Sequence, residues 1–201
     1  MESGSRLGGR PAARIREVSE AETSSQTHAV RLRQATLEDV EVLNLWWSSA
    51  LYTGEFNDFG KVTRPPVDKS IRENGLVGED RGTLVVERVA DLKPIGTVSW
   101  RQVRYGPNPE SCAWNIGISL VPEARRQGFG SQAQRLLADY LFATTSANRV
   151  EAATDVENLA EQRALEKAGF SRDGVLRGAQ YRAGTWRDVA MYSVVRRIDS
   201  R

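Results

Sequence analysis

The chain has one cysteine, Cys112, and one histidine, His28, among its 201 residues. A single cysteine cannot form a disulfide within the chain, and one cysteine with one histidine cannot supply the ligands of a Cys/His zinc site. His28 lies in a polar stretch, whereas a catalytic histidine has to be held rigidly. The composition therefore excludes disulfide frameworks, Cys/His zinc centres and histidine triads, and we expect no metal.

Long apolar runs and a strong charge bias are also missing. No run approaches the roughly 18 to 20 residues of a membrane helix, and the N-terminal stretch lacks the apolar segment of a signal peptide. Lys and Arg total 28 against 26 for Asp and Glu, a net charge of +2, which is too small to attract nucleic acid in bulk. We therefore expect a cytoplasmic protein that binds neither membrane nor nucleic acid.

The chain divides into two parts by composition. Residues 1–28 are rich in Ser, Gly, Ala, Arg and Glu and have almost no large apolar side chains, so we predict a disordered extension. Residues 29–201 show regular apolar patterns, and 40% of the whole chain is apolar, enough for one core. We predict a single domain there.

Local patterns predict a mixture of strands and helices. The first part is predicted to hold a strand at 29–33, a helix from the N-cap Thr36 to about Ser48, a lid-like loop over Leu51–Pro66 and a short helix over Val67–Asn74. The second part is predicted to hold an antiparallel meander of strands (Gly82–Val89, Ile95–Val103, Ala113–Val121), an amphipathic helix after Gly130, a strand at Arg149–Ala153, a helix at Glu157–Lys167 and a hairpin of strands near Val175–Tyr181 and Trp186–Val195.

A glycine-rich turn joins the third meander strand to the amphipathic helix. Its glycines, Gly128 and Gly130, let backbone N–H groups approach a ligand, and the helix start adds unpaired donors and a partial positive charge. Arg125 and Arg126 add two full charges at the same place. Such a turn predicts a phosphate or pyrophosphate site, although many strand-to-helix turns use glycine for structure alone.

Two nucleotide-binding motifs compete for this turn and fail. A Walker A loop needs Lys and then Ser or Thr after its last glycine, whereas Ser131 follows Gly130 directly. The Rossmann fingerprint needs three spaced glycines in a parallel unit, and here two glycines follow an antiparallel run.

The sequence resembles the GNAT superfamily of N-acetyltransferases, and within it the ribosomal-protein N-terminal acetyltransferases. Arg125-x-x-Gly128-x-Gly130 is similar to the family's Gln/Arg-x-x-Gly-x-Gly/Ala turn. A second block, Asn158 followed by Leu-Glu-Lys-Ala-Gly-Phe up to Phe170, is similar to the group's Asn…Leu-Glu-Lys-x-Gly-Phe pattern. The resemblance covers residues 29–197 and is closest between Trp114 and Arg197.

The resemblance implies an α+β single domain whose mixed, mostly antiparallel sheet splays open at an acyl-CoA cleft with helices on its flanks. It implies acetyl-CoA as co-substrate, and direct attack of an amine on the thioester without an acyl-enzyme. Its cofactor-binding residues would be the backbone of the strand end, the turn and one asparagine: Leu120, Val121, Arg125, Arg126, Gln127, Gly128, Phe129, Gly130, Ser131 and Asn158.

The catalytic groups are less well defined. Family members place a Ser three residues after the Asn, or a Tyr seven after it, as proton donor to the thiolate, and these positions hold Glu161 and Leu165. Glu161 can donate a proton only if burial raises its pKa, and it is otherwise a solvated helix charge. Base candidates for the amine are Glu55, Asp58 and Glu110, with a backbone carbonyl and a water chain as the alternative.

The acceptor stays open between a small-molecule amine and a protein N-terminus, and so does the oligomeric state, a homodimer included. Because the Ser and Tyr positions are substituted, a non-catalytic acyl-CoA-binding module or sensor is the second hypothesis. The third hypothesis is a nucleic-acid binder, and its alternative is a solvated strand face; the residues concerned are Arg177, Arg182, Arg187, Arg196 and Arg197.

Overall fold

The computed structural model describes residues 28–60 and 63–196, so the predicted extension over residues 1–28 lies almost wholly outside the described residues. Within them the strands are β1 (Val30–Arg33), β2 (Arg81–Arg88), β3 (Pro94–Arg104), β4 (Cys112–Leu120), β5 (Arg149–Asp155), β6 (Ser171–Arg182) and β7 (Thr185–Val195). The α-helices there are α1 (Val40–Ser48), α2 (Ala50–Thr53), α3 (Val67–Asn74), α4 (Phe129–Thr144) and α5 (Leu159–Lys167). None of these helices has the length and apolar character to cross a membrane.

The strands form one seven-stranded sheet in the order β1-β2-β3-β4-β5-β7-β6. Every neighbouring pair is antiparallel except β4 and β5, which run parallel. The meander from β2 to β4 and the final hairpin are as the alternating patterns predicted. The prediction of a mixed, mostly antiparallel sheet is confirmed.

The parallel pair β4 and β5 is joined for only part of its length. Three residue pairs match, from Trp114 with Val150 to Ile116 with Ala152. Beyond them, the residues of β4 up to Leu120 pair with β3 alone among the described strands, while the residues of β5 up to Asp155 pair with β7. The sheet therefore opens into a wedge at the carboxyl ends of its two central strands.

Helices cover the two faces of the sheet unequally. The apolar stripe of α4, with Ala133, Leu137 and Leu141, packs against the side chains of β3 and β4 that point to that face. On the other face, α1 and α3 bury a smaller cluster around Leu43 and Trp46. Trp46 is thus a core residue.

The start of the first helical segment follows its sequence signal. Thr36 is the N-cap, and its N–H donates to Oδ2 of Asp39 at 2.8 Å, which forms a capping box before a single 3-10 turn and α1. The predicted loop over Leu51–Pro66 was wrong in part, because α2 extends to Thr53 and a 3-10 turn spans Glu55–Asn57.

Candidate active site

A cavity of about 800 Å³ opens at the wedge between β4 and β5. Three elements line it: the segment after α2, the end of β4 with the turn before α4, and one side of α5. Its lining residues are Thr53, Gly54, Glu55, Phe56, Asn57, Ile118, Ser119, Leu120, Arg125, Arg126, Gly128, Gly130, Asn158, Ala160, Glu161, Arg163, Ala164 and Lys167. The structure thus brings two of the four predicted catalytic residues and most of the predicted coenzyme residues to one place.

The turn before α4 presents backbone donors to this cavity. Arg126 and Gly128 both have positive φ, of 62° and 83°, a conformation that turns successive N–H groups to one side and forms an anion-binding concavity. α4 begins at Phe129, and the part of the chain that the structure describes offers no acceptor to the N–H groups of Phe129 and Gly130. The dipole of the 16-residue helix α4 adds a partial positive charge at the same end.

The two glycines of the turn differ in what they require. A Cβ at Gly128 would meet no protein atom within 4 Å, so the space beside it is open to a ligand, while its φ of 83° disfavours other residues. A Cβ at Gly130 would touch the side chains of Leu120 and Ile118 at 3.7 and 3.8 Å, which is ordinary contact. The open cradle beside Gly128 fits a phosphate group.

Arg125 does not aim its guanidinium at that cradle. Its Nε donates to the carbonyl of Leu120 at 2.9 Å, and its Nη2 donates to the carbonyls of Leu51 and Tyr52 at 3.2 and 2.9 Å. Arg125 nevertheless lines the same cavity, so the charge of its side chain at the pyrophosphate site stays a prediction. Arg125 connects the turn to the segment after α2.

Other cations of the cavity were missed by the sequence reasoning. Arg163 and Lys167 lie four residues apart on α5 and both line the cavity, together with Arg126. The signal was present in the i, i+4 spacing, but the sequence alone does not show which face of α5 looks at the turn. Arg163 and Lys167 therefore add two positive charges to the cavity, beside Arg125 and Arg126, which the sequence analysis had already placed at the turn.

At the end of β4, Val121 has its backbone groups hydrogen-bonded within the protein, whereas the N–H of Leu120 faces the wedge. Val121 donates its N–H to the carbonyl of Ile95 at 2.9 Å and accepts from the N–H of Ala124 at 3.0 Å, so its predicted pairing with a pantetheine arm is corrected. Because backbone groups alternate along a strand, the N–H of Leu120 points away from β3 into the wedge. Leu120 keeps its predicted place at the cleft.

Three further turn residues serve the protein itself. The Phe129 side chain is 8% exposed and belongs to the core, so only its backbone faces the turn. Gln127 donates to the carbonyl of Glu123, and the Ser131 hydroxyl donates to the carbonyl of Gly128 at 2.9 Å. None of the three lines the cavity, and their predicted role in coenzyme binding is limited to their backbone.

Asn158 and Glu161 lie at the start of α5. The Asn158 side chain caps that helix, since its Oδ1 accepts from the N–H of Glu161 at 3.2 Å and its Nδ2 donates to Thr154 at 3.1 Å. Burial raises the pKa of the Glu161 carboxyl from 4.5 to about 7, and the Gln134 side chain lowers it by a smaller amount. Glu161 is therefore a carboxyl group on the cavity wall that is still partly protonated near neutral pH, where an ordinary carboxyl is ionised.

The predicted base candidates separate in the structure. Glu55 lines the cavity on an exposed 3-10 turn. Asp58 is exposed, accepts from the N–H of Gly60 at 3.0 Å and does not line the cavity. Glu110 lies at the exposed tip of the β3–β4 hairpin, next to Asn108, and the strand from Cys112 to Ile116, about 13 Å at 3.3 Å per residue, separates that tip from the start of the wedge. Asp58 and Glu110 therefore do not line this cavity.

Among the described residues, no cluster of three or more His, Cys, Asp or Glu side chains is arranged to hold a metal ion. Cys112, the start of β4, is half-buried at the end of the strand remote from the wedge. The chemistry available in the cavity is therefore that of oriented backbone donors, cations and the carboxyl groups of Glu55 and Glu161.

Comparison with known proteins agrees with this geometry. The sequence profile of the acetyltransferase (GNAT) domain matches residues 29–171, more than two thirds of the chain. The chain belongs to the GNAT acetyltransferase family. The chain is 29% identical over 175 residues to a protein described as uncharacterized N-acetyltransferase p20 of Bacillus licheniformis, with 85% of this chain and 95% of that protein aligned.

Solved structures with the same fold include further acetyltransferases. The ribosomal-protein-S5-alanine acetyltransferase of Vibrio fischeri superposes with a TM-score of 0.66 at 20% identity, over 87% of this GNAT chain and 97% of that one. The spermidine N-acetyltransferase of Vibrio cholerae, solved with CoA and spermine, gives a TM-score of 0.65 at 18% identity, over 83% and 95% of the two chains. At these identities the likeness confirms the predicted fold.

Proposed function

We propose that this GNAT protein transfers the acetyl group of acetyl-CoA to a primary amine, by direct attack of the amine on the thioester in the wedge between β4 and β5. The observation that carries the proposal is the cradle beside Gly128, which opens into a cavity that also holds Glu161 and Glu55. One end of the cavity suits a pyrophosphate and the other suits an amine.

Different residues of the chain bind different parts of acetyl-CoA. The backbone donors from Gly128 to Gly130 and the α4 dipole bind the pyrophosphate. Arg126, Arg163 and Lys167 line the same cavity and neutralise the remaining phosphate charge. The free N–H of Leu120 pairs with the pantetheine arm, which completes the edge that β4 leaves open at the wedge.

Glu161 is the proton donor to the departing thiolate. A donor must hold its proton at the working pH, and the pKa of about 7 allows Glu161 to do so where an ordinary carboxyl could not. The sequence had left this residue undecided between a solvated helix charge and an acid. Its position on the cavity wall supports the acid.

Glu55 is the acidic group on the acceptor side. An alkyl amine with a pKa of about 10 reaches the cavity as a cation, which a carboxylate at the entrance attracts. It gives up one proton to solvent water before the free amine attacks the thioester. The ring of Phe56, which lines the cavity beside Glu55, provides apolar surface for the carbon body of the amine. A small polyamine or a protein N-terminus has this combination of charge and apolar surface.

The alternative is a coenzyme-binding module without catalysis. An assay that measures thiol release from acetyl-CoA separates the two, with spermidine, a peptide with an N-terminal serine and a peptide with an N-terminal alanine as acceptors and mass spectrometry of the products. Amine-dependent thiol release with an acetylated product supports the transferase. Binding of CoA without product from the panel supports the module.

Three further expectations stay predictions. They are the cytoplasmic location, the lack of nucleic-acid binding, and the homodimer left open by the sequence. We also predict that the extension over residues 1–28 is dispensable for catalysis. A chain that starts at Ala29 tests this and should keep its rate.

A further inference from the structure

Arg182, the last residue of β6, is buried with 6% of its surface exposed, although the alternation of β6 had suggested a solvated strand face. Its Nη2 forms a salt bridge with Asp155 Oδ2, and Asp155 is 2% exposed. Burial of both partners removes water from the pair, so the guanidinium is held in one place by the carboxylate.

The other side of the same guanidinium contacts Glu55 and Phe56, which form the wall of the cavity on the side of the amine acceptor (the acceptor wall). Its Nη1 donates to the carbonyl oxygen of Glu55 at 2.5 Å, and its Cζ lies 5.2 Å from the centre of the Phe56 ring. Glu55 and Phe56 line the cavity, whereas Arg182 does not. Arg182 therefore acts on the cavity through these two neighbours.

Asp155 connects this contact to the opposite wall of the cavity, which is formed by the start of α5. Its Oδ1 accepts from the N–H of Glu157 at 2.8 Å, and its carbonyl accepts from the N–H of Asn158 at 3.0 Å. The Asn158 side chain in turn accepts from the N–H of Glu161 and so caps α5. A continuous set of hydrogen bonds thus runs from the Glu55 carbonyl through Arg182 and Asp155 to the start of α5, so the two walls keep a fixed separation.

We propose that Arg182 is a positioning residue that fixes the wall formed by Glu55 and Phe56 and thereby sets the affinity for the amine, without contributing to coenzyme affinity. The part that concerns the amine rests on the proposed function. The effect on the wall does not rest on it, because the order of the segment 54–57 can be measured without any substrate. Specificity for the acceptor then depends on a residue outside the cavity.

The wall is tested by hydrogen–deuterium exchange of the segment 50–60 in the full-length protein. We expect Arg182→Met to speed exchange there by at least about tenfold, because the segment loses its buried anchor. Arg177→Met, on the exposed face of the same strand, is the matched control and leaves exchange unchanged. The double variant Arg182→Met with Asp155→Asn removes the carboxylate charge that the single variant leaves unpaired.

Arg182→Lys separates positioning from charge. Lysine keeps the pairing with Asp155, but it has no second fork to hold the Glu55 carbonyl, so exchange should lie between that of the wild type and that of Arg182→Met. Exchange at the wild-type rate in both Arg182→Met and the double variant overturns the proposal. Faster exchange in the single variant alone shows an effect of unpaired charge and also overturns it.

The consequence for the amine is measured with CoA titrations and with spermidine and a serine-initiated peptide as acceptors. The proposal expects the KM for the accepted amine to rise by at least about fivefold in Arg182→Met, while the Kd for CoA stays within about twofold of wild type. Equal losses for coenzyme and amine would show a general structural role and overturn it. If wild type binds no CoA, the proposed function fails, whereas the exchange result on the segment stands by itself.

Discussion

Arg125 and Tyr52 are joined by a hydrogen bond of 2.9 Å from the guanidinium Nη2 to the carbonyl oxygen, and the Ser119 hydroxyl donates to the same carbonyl at 3.2 Å. The phosphate-binding turn and the acceptor-side segment are therefore parts of one assembly. Since the Arg125 side chain is engaged there, we expect coenzyme affinity to come mainly from the turn backbone and from the other cations of the cavity.

Substitution of Gly128 tests the turn. We expect Gly128→Val to raise the Kd for CoA by at least about tenfold, equivalent to about 1.4 kcal/mol, because its side chain would occupy the open space of the cradle. The positive φ of Gly128 adds a folding cost of roughly 1–2 kcal/mol for a residue with a Cβ. Isothermal titration with CoA measures the first effect and thermal unfolding the second.

Gly130→Ala is the control for this variant. Its added methyl would meet only two side chains at ordinary contact distance and leave the cradle open, so CoA affinity should change little. Equal CoA affinity in a folded Gly128→Val protein would place the pyrophosphate elsewhere.

The cations of α5 give a second test of coenzyme binding. Arg163→Met and Lys167→Met should each weaken CoA binding by about two- to fivefold at low salt, since single exposed ion pairs are worth about 0.2–1 kcal/mol. The loss should shrink as salt rises. CoA lacking its 3′-phosphate is the matched ligand: a variant that weakens CoA but not this analogue places its cation at that phosphate.

The pH dependence of the rate tests Glu161. With its pKa near 7, the fraction of protonated donor falls as the pH rises through neutrality, while the fraction of free amine rises. The kcat profile should therefore have a descending limb near pH 7. Glu161→Gln should lower kcat by at least about tenfold and remove that limb. An unchanged profile in Glu161→Gln would make water the donor.

The same carboxyl also affects stability, with a definite sign. In the unfolded chain Glu161 ionises near 4.5, and in the folded chain near 7, so between these values the unfolded state binds fewer protons. The contribution to stability is present below pH 4.5 and is lost as the pH rises through 7. Denaturant unfolding should show a smaller fall over this interval in Glu161→Gln than in wild type, and an equal fall would contradict the raised pKa.

Glu55 and Asp58 form a matched pair for the acceptor side. Glu55→Gln should reduce kcat/KM for spermidine by about two- to fivefold, as expected for an exposed carboxylate that attracts a cation. Asp58→Asn removes an equal charge outside the cavity and should have a smaller effect. If Asp58→Asn has the larger effect, the acceptor enters from a direction other than the Glu55 wall.

Much of the fold was predictable from the sequence because its signals are local. Alternation marked the strands, the spacing of Ala133, Leu137 and Leu141 marked α4, and Thr36 with Asp39 marked the first helical segment. The segment from Leu51 to Pro66 was predicted as a loop because its glycines and prolines are typical of loops. The structure has two short helical turns there. Helices this short have no apolar period of their own to detect.

The site was predictable only where a motif fixes the backbone. In this way the sequence indicated six residues that line the cavity, namely Arg125, Arg126, Gly128, Gly130, Asn158 and Glu161. The roles of Arg125, Arg163 and Arg182 depend on which distant carbonyl, cavity or carboxylate each guanidinium reaches, and strand or helix spacing alone does not determine that contact. Glu110 was predicted from its place before β4, but β4 reaches the cavity only at its other end.

Transfer of a radiolabelled acetyl group from acetyl-CoA tests the central claim most directly. Purified wild-type protein is mixed with labelled acetyl-CoA and an equal mixture of spermidine and serine-initiated peptide, and label is followed in amine, coenzyme and protein. We predict that label appears in an amine product and never on the protein, and that Gly128→Val slows its appearance. Label held on the protein, or an amine product formed equally fast by Gly128→Val, would contradict direct transfer at this cavity.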